Sequence, residues 1–153
     1  MEHVDIDDVA EGGFGNGVTM RKLADPLGAE DLAINHYELA PGEGFSGGMH
    51  THLDQEELFV VLSGTATFET PEETVDVAAG EAIRFAPGEY QTGSNEGDEP
   101  VEALALGAPA DSTEVRVPVE CRECGHDALA AIPAEEGMAF ECPECGTAAD
   151  LPT

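Results

Sequence analysis

Two histidines and the acidic residues that follow them form the first candidate metal site in this sequence. His50 and His52 are separated by a single residue, and Glu56 and Glu57 follow them. Residues two apart on a β-strand point to the same face, so both imidazoles can approach one point. Two histidines and a carboxylate are a common ligand set for Fe, Mn, Ni or Zn that leaves coordination positions open. Neighbouring strand residues face opposite ways, so only one of the two glutamates can join the histidines.

Four cysteines form a second candidate metal site, in two pairs toward the end of the chain. Their spacing is Cys121-x2-Cys124-x17-Cys142-x2-Cys145. A tight turn brings both sulfurs of a pair to one ion, and the glycine after each pair accommodates the positive φ of such turns. This spacing predicts a four-cysteine zinc site. Two disulfides are the alternative, and metal thiolates are favoured because the sequence lacks an export signal.

Short β-type runs separated by turn residues predict the elements that carry the two histidines. The predicted strands are Leu32–Leu39, Leu58–Leu62, Thr65–Thr70, Thr74–Val77, Ala82–Phe85 and Val101–Leu106. Regular short strands with Gly and Pro between them indicate a closed all-β sandwich or barrel. Residues 1–30 are rich in Gly and Asp, and their segment 11–17 is predicted to be loop.

The sequence around the two histidines resembles the first conserved motif of the cupins. The matching residues are Gly44-x5-His50-x-His52-x4-Glu57-x6-Gly64. The second cupin motif is matched in spacing by Gly80-x5-Ala86-Pro87-Gly88-x2-Gln91-x3-Asn95. Ala86 stands there for the usual proline, and Gln91 stands for the usual third histidine. The resemblance covers about residues 31–107.

This resemblance implies an all-β fold, a double-stranded β-helix (jelly-roll) barrel with a divalent metal in its mouth. It assigns His50, His52 and Glu57 as ligands, since the spacing of the motif favours Glu57 over Glu56. Gln91 takes the position of a fourth ligand, and its neutral amide oxygen is a harder ligand than imidazole. Ligation by Gln91, a hydrogen bond from Gln91 to a bound molecule, and a metal-free pocket remain open alternatives. Cupins include isomerases, dioxygenases, decarboxylases, lyases and non-enzymatic binders, so the resemblance names no substrate.

No other side chain of the barrel segment stands out as a catalytic acid or base. Tyr37, Tyr90 and His36 are available titratable groups, and His36 is expected to be an ordinary strand-face histidine. Arg84 is expected to pair with a neighbouring carboxylate on the outside of the barrel, because exposed charge pairs are the rule. Catalytic residues are therefore not assigned.

The cysteine segment resembles a zinc ribbon over about Val119–Ala149. A unit of this size has too little apolar core to fold alone, so bound zinc is expected to supply folding free energy. The expected role of this module is structural, through protein contacts, dimerisation or packing on the barrel.

The charge of the chain excludes several classes of partner. There are 33 Asp and Glu residues against 5 Lys and Arg, a formal net charge of −28. Nucleic-acid binding needs clustered cations, and an anionic membrane surface would repel this chain. Hydrophobic residues make up 41% of the sequence, which is enough to form a core and argues against disorder. The acidic composition is typical of adaptation to high salt, so we expect a halophilic, soluble, cytoplasmic protein.

The sequence is divided into an N-terminal extension (1–30), a cupin barrel (31–110), a linker (111–118) and a zinc-ribbon-like module (119–150), with a possible strand at the end of the segment Gly107–Val117. We expect a metal-binding cupin-domain protein that binds or acts on a small molecule, with zinc in the four-cysteine module. The alternative is a non-catalytic module that binds a small ligand or directs assembly, with the ribbon mediating protein contacts. A homodimer is expected, because barrels of this family commonly pair through their outer sheets.

Overall fold

The computed structural model describes residues 1–12, 18–134 and 137–151 of the chain. Short strands predominate in these residues. The strands are β1 (Glu11–Gly12), β2 (Thr19–Lys22), β3 (Ala33–Leu39), β4 (Thr51–His52), β5 (Glu56–Ser63), β6 (Thr65–Glu69), β7 (Thr74–Ala78), β8 (Ala82–Phe85), β9 (Thr92–Ser94), β10 (Val101–Ala108), β11 (Val115–Val117), β12 (Leu129–Pro133), β13 (Met138–Glu141) and β14 (Ala148–Ala149). The described helical elements are a 3₁₀ turn at Ile6–Asp8 and helix α1 at Ala24–Leu27. Neither has the length and apolar character that crossing a bilayer requires.

Two antiparallel sheets form a double-stranded β-helix, the barrel that the resemblance implied. One sheet has the strand order β1-β2-β3-β10-β5-β8, and the other has the order β7-β6-β9. The alternation of β5 shows how the sequence produces this barrel. Phe59 and Val61 are buried inside it, whereas Leu58 and Val60 face outward and are only partly covered.

Aromatic rings fill the space between the two sheets. Neighbouring ring centroids are 4.9–6.2 Å apart in a cluster of Tyr37, Phe45, Phe59, Phe68 and Phe85. Offset and tilted aromatic pairs at these distances add to the free energy of area burial. The cluster closes the barrel below the two histidines, which lie near its rim.

The six predicted strands are all present, as β3, β5, β6, β7, β8 and β10, with ends within two residues of the predicted ones. Strand β2 lies in the predicted N-terminal extension, where it pairs antiparallel with β3 and places Met20 in the barrel core. Glu11 and Gly12 belong to β1, contrary to the predicted loop, while residues 13–17 lie outside the described residues. These segments are too short to show a periodicity of their own. The domain boundary at residue 31 stays a prediction.

A third sheet connects the cysteine module to the barrel. Its strand order is β14-β13-β12-β11-β4, so the barrel strand β4 forms one edge. Strand β11 lies within the predicted linker (111–118) and pairs antiparallel with β4, placing Val115 opposite His52. The linker is therefore ordered sheet at this point, and one of the candidate metal ligands lies on the shared edge.

Candidate metal centres

The structure brings His50, His52 and Glu57 together in the mouth of the barrel. One ligand atom from each lies within 4.8 Å of the others. The Glu57 carboxylate is 3.5 Å from His52 Nε2 through Oε1 and 3.9 Å from His50 Nε2 through Oε2. His52 lies on β4 and Glu57 on β5, so two strands that follow each other in the chain but belong to different sheets place these side chains. These three residues can hold a metal ion.

Hydrogen bonds leave the lone pair of each imidazole directed at Glu57. His50 Nδ1 is 2.9 Å from the Gly48 carbonyl oxygen, which only accepts, so Nδ1 carries the proton. His52 Nδ1 is 2.8 Å from Ser112 Oγ, and that hydroxyl donates its single proton to Asp54 at 2.6 Å. Ser112 must therefore accept from His52 Nδ1. Both Nε2 atoms are then free to bind a metal, as ligating histidines require.

The two adjacent glutamates occupy different environments. Glu57 faces the histidines, whereas Glu56 accepts a hydrogen bond of 2.6 Å from Arg84 Nε on the outer surface. Arg84 therefore pairs outside the barrel, as the sequence predicted. The geometry agrees with the spacing argument that favoured Glu57 over Glu56 as the metal ligand.

Gln91 lies beside the ligands and contacts Glu57. Its amide nitrogen donates a hydrogen bond of 2.9 Å to Glu57 Oε2, and its backbone pairs with that of His50. The side chain is fully buried. In this arrangement Gln91 orients the carboxylate, which is a role distinct from ligation. Ligation by Gln91 stays a prediction.

Burial favours neutral groups around this centre. Desolvation lowers the pKa of His52, and the opposing charge of Glu57 does not offset it, so the imidazole is neutral near pH 7. Burial, assisted by the charge of Glu57, raises the pKa of Tyr37 to about 12. His36 faces the opposite side of the same sheet and contacts Glu102 at 2.8 Å, so it is separate from the centre.

The four cysteines converge as their spacing predicted. Their sulfurs lie within 4.8 Å of one another, and all four thiols are free. The Cys121 and Cys145 sulfurs are 3.7 Å apart, and those of Cys124 and Cys142 are 3.4 Å apart. A zinc ion with four sulfurs at ~2.3 Å sets them about 3.8 Å apart, so the cluster can hold zinc.

The turns favour the thiolate at two of the four cysteines, whereas at Cys124 hydrogen bonds with Cys142 and Cys145 outweigh the backbone hydrogen bond from His126 and raise its pKa to about 12. Gly125 and Gly146 have φ of 76° and 72°, as predicted, and donate backbone hydrogen bonds to the carbonyls of Cys121 and Cys142. Backbone hydrogen bonds lower the pKa of Cys121, and hydrogen bonds from Thr147 lower the pKa of Cys145 to about 6. A lowered thiol pKa favours the metal-binding form.

Two residues beside the barrel centre were not identified by sequence reasoning. Ser112 and Asp54 form the hydrogen-bond chain to His52. Asp54 lies two residues after His52, but acidic residues are common throughout this chain, and Ser112 is 60 residues from His52. No local pattern distinguishes either of them.

Residues 35–107 match the family model described as Cupin domain. Among curated proteins, none matches this chain. The chain is similar to a solved sugar phosphate isomerase of the cupin superfamily from Silicibacter pomeroyi, with 18% identity, 94% of each chain covered and a TM-score of 0.71. It is also similar to a polyketide cyclase from Streptomyces resistomycificus, with 26% identity, 80% of this chain and 89% of that chain covered, and a TM-score of 0.65.

A third similar structure is a protein with a double-stranded β-helix domain from Klebsiella pneumoniae. It has 18% identity and a TM-score of 0.60, with 72% of this chain and 86% of that chain covered. Identities this low carry the fold, and fold alone does not transfer an activity.

Proposed function

Residues 35–107 form a cupin domain, and we propose that it holds one divalent metal ion through His50, His52 and Glu57. The metal would bind a small molecule in the barrel mouth. The observation that carries this proposal is the convergence of two imidazole Nε2 lone pairs on one carboxylate, with both Nδ1 positions already hydrogen-bonded. A metal in this ligand set keeps coordination positions open for a ligand and supplies Lewis-acid chemistry.

The charges around the centre favour a small neutral or singly negative molecule with oxygen donors. A divalent ion bound by Glu57 and two neutral imidazoles leaves one net positive charge. In the described part of the chain, three arginines form ion pairs with glutamates other than Glu57. Arg84 pairs with Glu56, Arg116 pairs with Glu114, and Arg21 pairs with two glutamates of the outer sheet face. The metal is then the main attraction for an anion.

We expect this centre to bind a phosphate dianion weakly. Phosphate sites in proteins usually combine Arg or Lys side chains with backbone N–H groups. The sugar phosphate isomerase from Silicibacter pomeroyi therefore supports the fold of this chain and not its substrate. We favour a carboxylate or a compound with adjacent oxygens that binds the metal directly.

Metal analysis of the full chain tests the proposal. We expect two ions per chain after purification or reconstitution, namely zinc at the four cysteines and a second divalent ion in the barrel. Fe, Mn, Ni and Zn are the candidates for the second ion. The variant with His50→Ala and His52→Ala should lose one ion and keep the zinc. His3→Gln changes an exposed histidine outside the centre and should lose neither.

The proposal is wrong if the folded wild-type chain binds only the thiolate-held ion after incubation with each candidate metal. The alternative function, a non-catalytic binding or assembly module, has its own support. No further His, Asp, Glu or Cys joins the three-ligand cluster among the described residues. A metal-loaded chain that binds small carboxylates without turning them over would favour this alternative.

A further inference from the structure

We propose that Ser112 and Asp54 are positioning residues for the barrel metal and that they couple it to the four-cysteine centre. Both centres would then bind metal cooperatively. The proposal rests on the proposed metal site at His50, His52 and Glu57. It assigns to the segment between barrel and ribbon a role in metal affinity.

Two linked hydrogen bonds run from His52 to Ser112 and from Ser112 to Asp54. Asp54 Oδ1 accepts the Ser112 hydroxyl proton at 2.6 Å, which leaves Ser112 Oγ as the acceptor for His52 Nδ1 at 2.8 Å. A neutral imidazole carries one proton, so this series of hydrogen bonds fixes the tautomer of His52 whose Nε2 lone pair faces Glu57. Without Ser112, the tautomer and the ring orientation of His52 are no longer set by this contact.

Ser112 is itself held by several contacts from the barrel. Asp54 Oδ2 accepts hydrogen bonds from Thr113 N at 2.8 Å and from Thr113 Oγ1 at 3.0 Å. Buried Gln55 donates to the Pro109 carbonyl at 2.6 Å. These contacts tie both sides of Ser112 to the residues that directly follow His52.

Paired strands connect the segment that contains Ser112 to the cysteines. Strand β11 pairs with β4 on one side and with β12 on the other, and β12 pairs with β13. Cys142 directly follows β13 and, with Cys121, is buried in the small apolar cluster of the module. Zinc that stabilises this module also orders β11, and with it Ser112. Linkage requires that the barrel metal stabilise zinc binding by the same factor.

The effect of the Ser112 hydroxyl on metal affinity is tested with the full chain, after one equivalent of zinc has filled the four-cysteine centre. Mn²⁺, which prefers oxygen and imidazole ligands to thiolates, is titrated against the barrel centre by electron paramagnetic resonance. Ser112→Ala should weaken Mn²⁺ binding roughly 10–100-fold, the usual effect of removing a partner of a ligating histidine. Ser112→Thr keeps the hydroxyl and should restore affinity.

Ser94→Ala is the matched control. It removes a serine-to-carboxylate hydrogen bond of 2.8 Å, to Glu96, that involves no histidine, and it should leave Mn²⁺ affinity unchanged. A second readout needs no barrel metal, because ¹⁵N shifts report which nitrogen of His52 is protonated. Wild type should show the Nδ1–H tautomer, and Ser112→Ala should show a mixture.

Coupling is tested by removing the exposed cysteines together, with Cys124→Ser and Cys145→Ser. Mn²⁺ affinity should fall several-fold relative to the zinc-loaded wild type, and Mn²⁺ should slow loss of zinc to a chelator in wild type by a matching amount.

Three results separate the hypotheses. Wild type that binds no Mn²⁺ overturns the proposed barrel site, while the His52 tautomer still reports on Ser112. If Ser112→Ala binds Mn²⁺ as tightly as wild type does, Ser112 is not a positioning residue for the barrel metal. Equal Mn²⁺ affinity with and without zinc at the cysteines overturns the coupling.

Discussion

Glu56 and Glu57 are chemically identical neighbours, but the pleat of β5 places them on opposite faces of the sheet. Glu57 faces two imidazoles and Gln91 in the barrel mouth, and Glu56 pairs with Arg84 in solvent. At the scale of single residues, orientation therefore determines which carboxylate can bind a metal. Their charge does not distinguish them, whereas their position relative to Gly64 in the motif favoured Glu57.

Glu57→Gln should weaken binding of the barrel metal by at least ~10-fold, because it replaces a charged ligand by a neutral one. Glu56→Gln is the matched control. It removes an exposed ion pair whose contribution to stability is at most about 1 kcal/mol, and metal affinity should stay unchanged. Equilibrium titration of both variants with Mn²⁺ is the measurement. A larger loss in Glu56→Gln would reverse the assignment of the ligand.

Tyr37 should make the fold sensitive to alkaline pH. Burial and the charge of Glu57 raise its pKa from the ordinary tyrosine value of 10.0 to about 12. Below pH 10 the phenol is protonated in both the folded and the unfolded chain, so it has no effect on stability. Between pH 10 and 12 the unfolded chain loses the proton first, which lowers the free energy of unfolding by up to about 3 kcal/mol.

Denaturant unfolding at pH 9 and pH 11 measures this effect. Tyr37→Phe should reduce the loss of stability between the two pH values, whereas Tyr90→Phe, at a more exposed tyrosine, should reduce it less. Equal pH dependence in wild type and Tyr37→Phe would contradict the explanation.

At the scale of elements, β9 shows how tightly the aromatic cluster packs against the backbone of a barrel strand. It pairs with β6 in the smaller sheet, and Gly93 lies directly against the aromatic cluster. A Cβ atom on Gly93 would be 2.5 Å from the Phe68 ring and 2.8 Å from the Phe45 ring. Three residues between turns gave too little pattern to predict this strand, but packing requires a glycine in it.

Gly93→Ala should lower the free energy of unfolding by about 1–3 kcal/mol, the usual effect of overpacking a core. Gly47→Ala is the control, since no atom lies within 4 Å of the Cβ position there. Urea denaturation of both variants is the measurement. A neutral Gly93→Ala would mean that the ring cluster can shift to admit a methyl group.

At the scale of the whole molecule, the net charge of −28 resides mainly on exposed carboxylates. Filling both metal centres leaves this total unchanged, because a zinc ion with four thiolates adds two negative charges and a divalent barrel ion adds two positive ones. Repulsion between surface carboxylates destabilises a compact chain and is screened by salt, with a Debye length of about 3 Å at 1 M. We propose that this protein is adapted to concentrated salt.

The midpoint of urea denaturation should rise substantially between 0.1 and 2 M KCl, because screening removes repulsion from the folded state. Sucrose at matched osmolality separates screening from excluded-solute effects. Full stability in low salt would contradict the adaptation.

The expected homodimer stays a prediction, and we propose that it forms through the outer face of the larger sheet. Leu58 and Val60 of β5 lie opposite Leu106 and Leu104 of β10 and are only partly covered, and Leu62 is 43% exposed at the end of the same row. Leu62→Glu should shift the protein toward monomer in sedimentation experiments at 2 M KCl. Leu53→Glu changes an exposed leucine beside the barrel mouth and should not. A monomeric wild type would refute the dimer.

Most of the barrel strands, and the convergence of His50, His52 and Glu57 and of the four cysteines, were predictable from the sequence. The strands of 4–8 residues carry their own alternation, and the two histidines and the cysteine pairs are close enough in sequence for spacing to imply convergence. Local patterns suffice wherever the interacting residues belong to one strand or one turn.

Contacts between distant segments required the folded chain. The hydrogen bond from Gln91 to Glu57 and the link from Ser112 to His52 depend on strand register and on packing between sheets. A strand was possible at the position of β11, but its pairing with β4 depends on the fold, which brings residue 115 opposite residue 52. Strands β4 and β11 have only two and three residues, which is too short for a sequence pattern that would identify the partner strand. Their pairing is stabilised by contacts with the opposite strand, which the local sequence does not show.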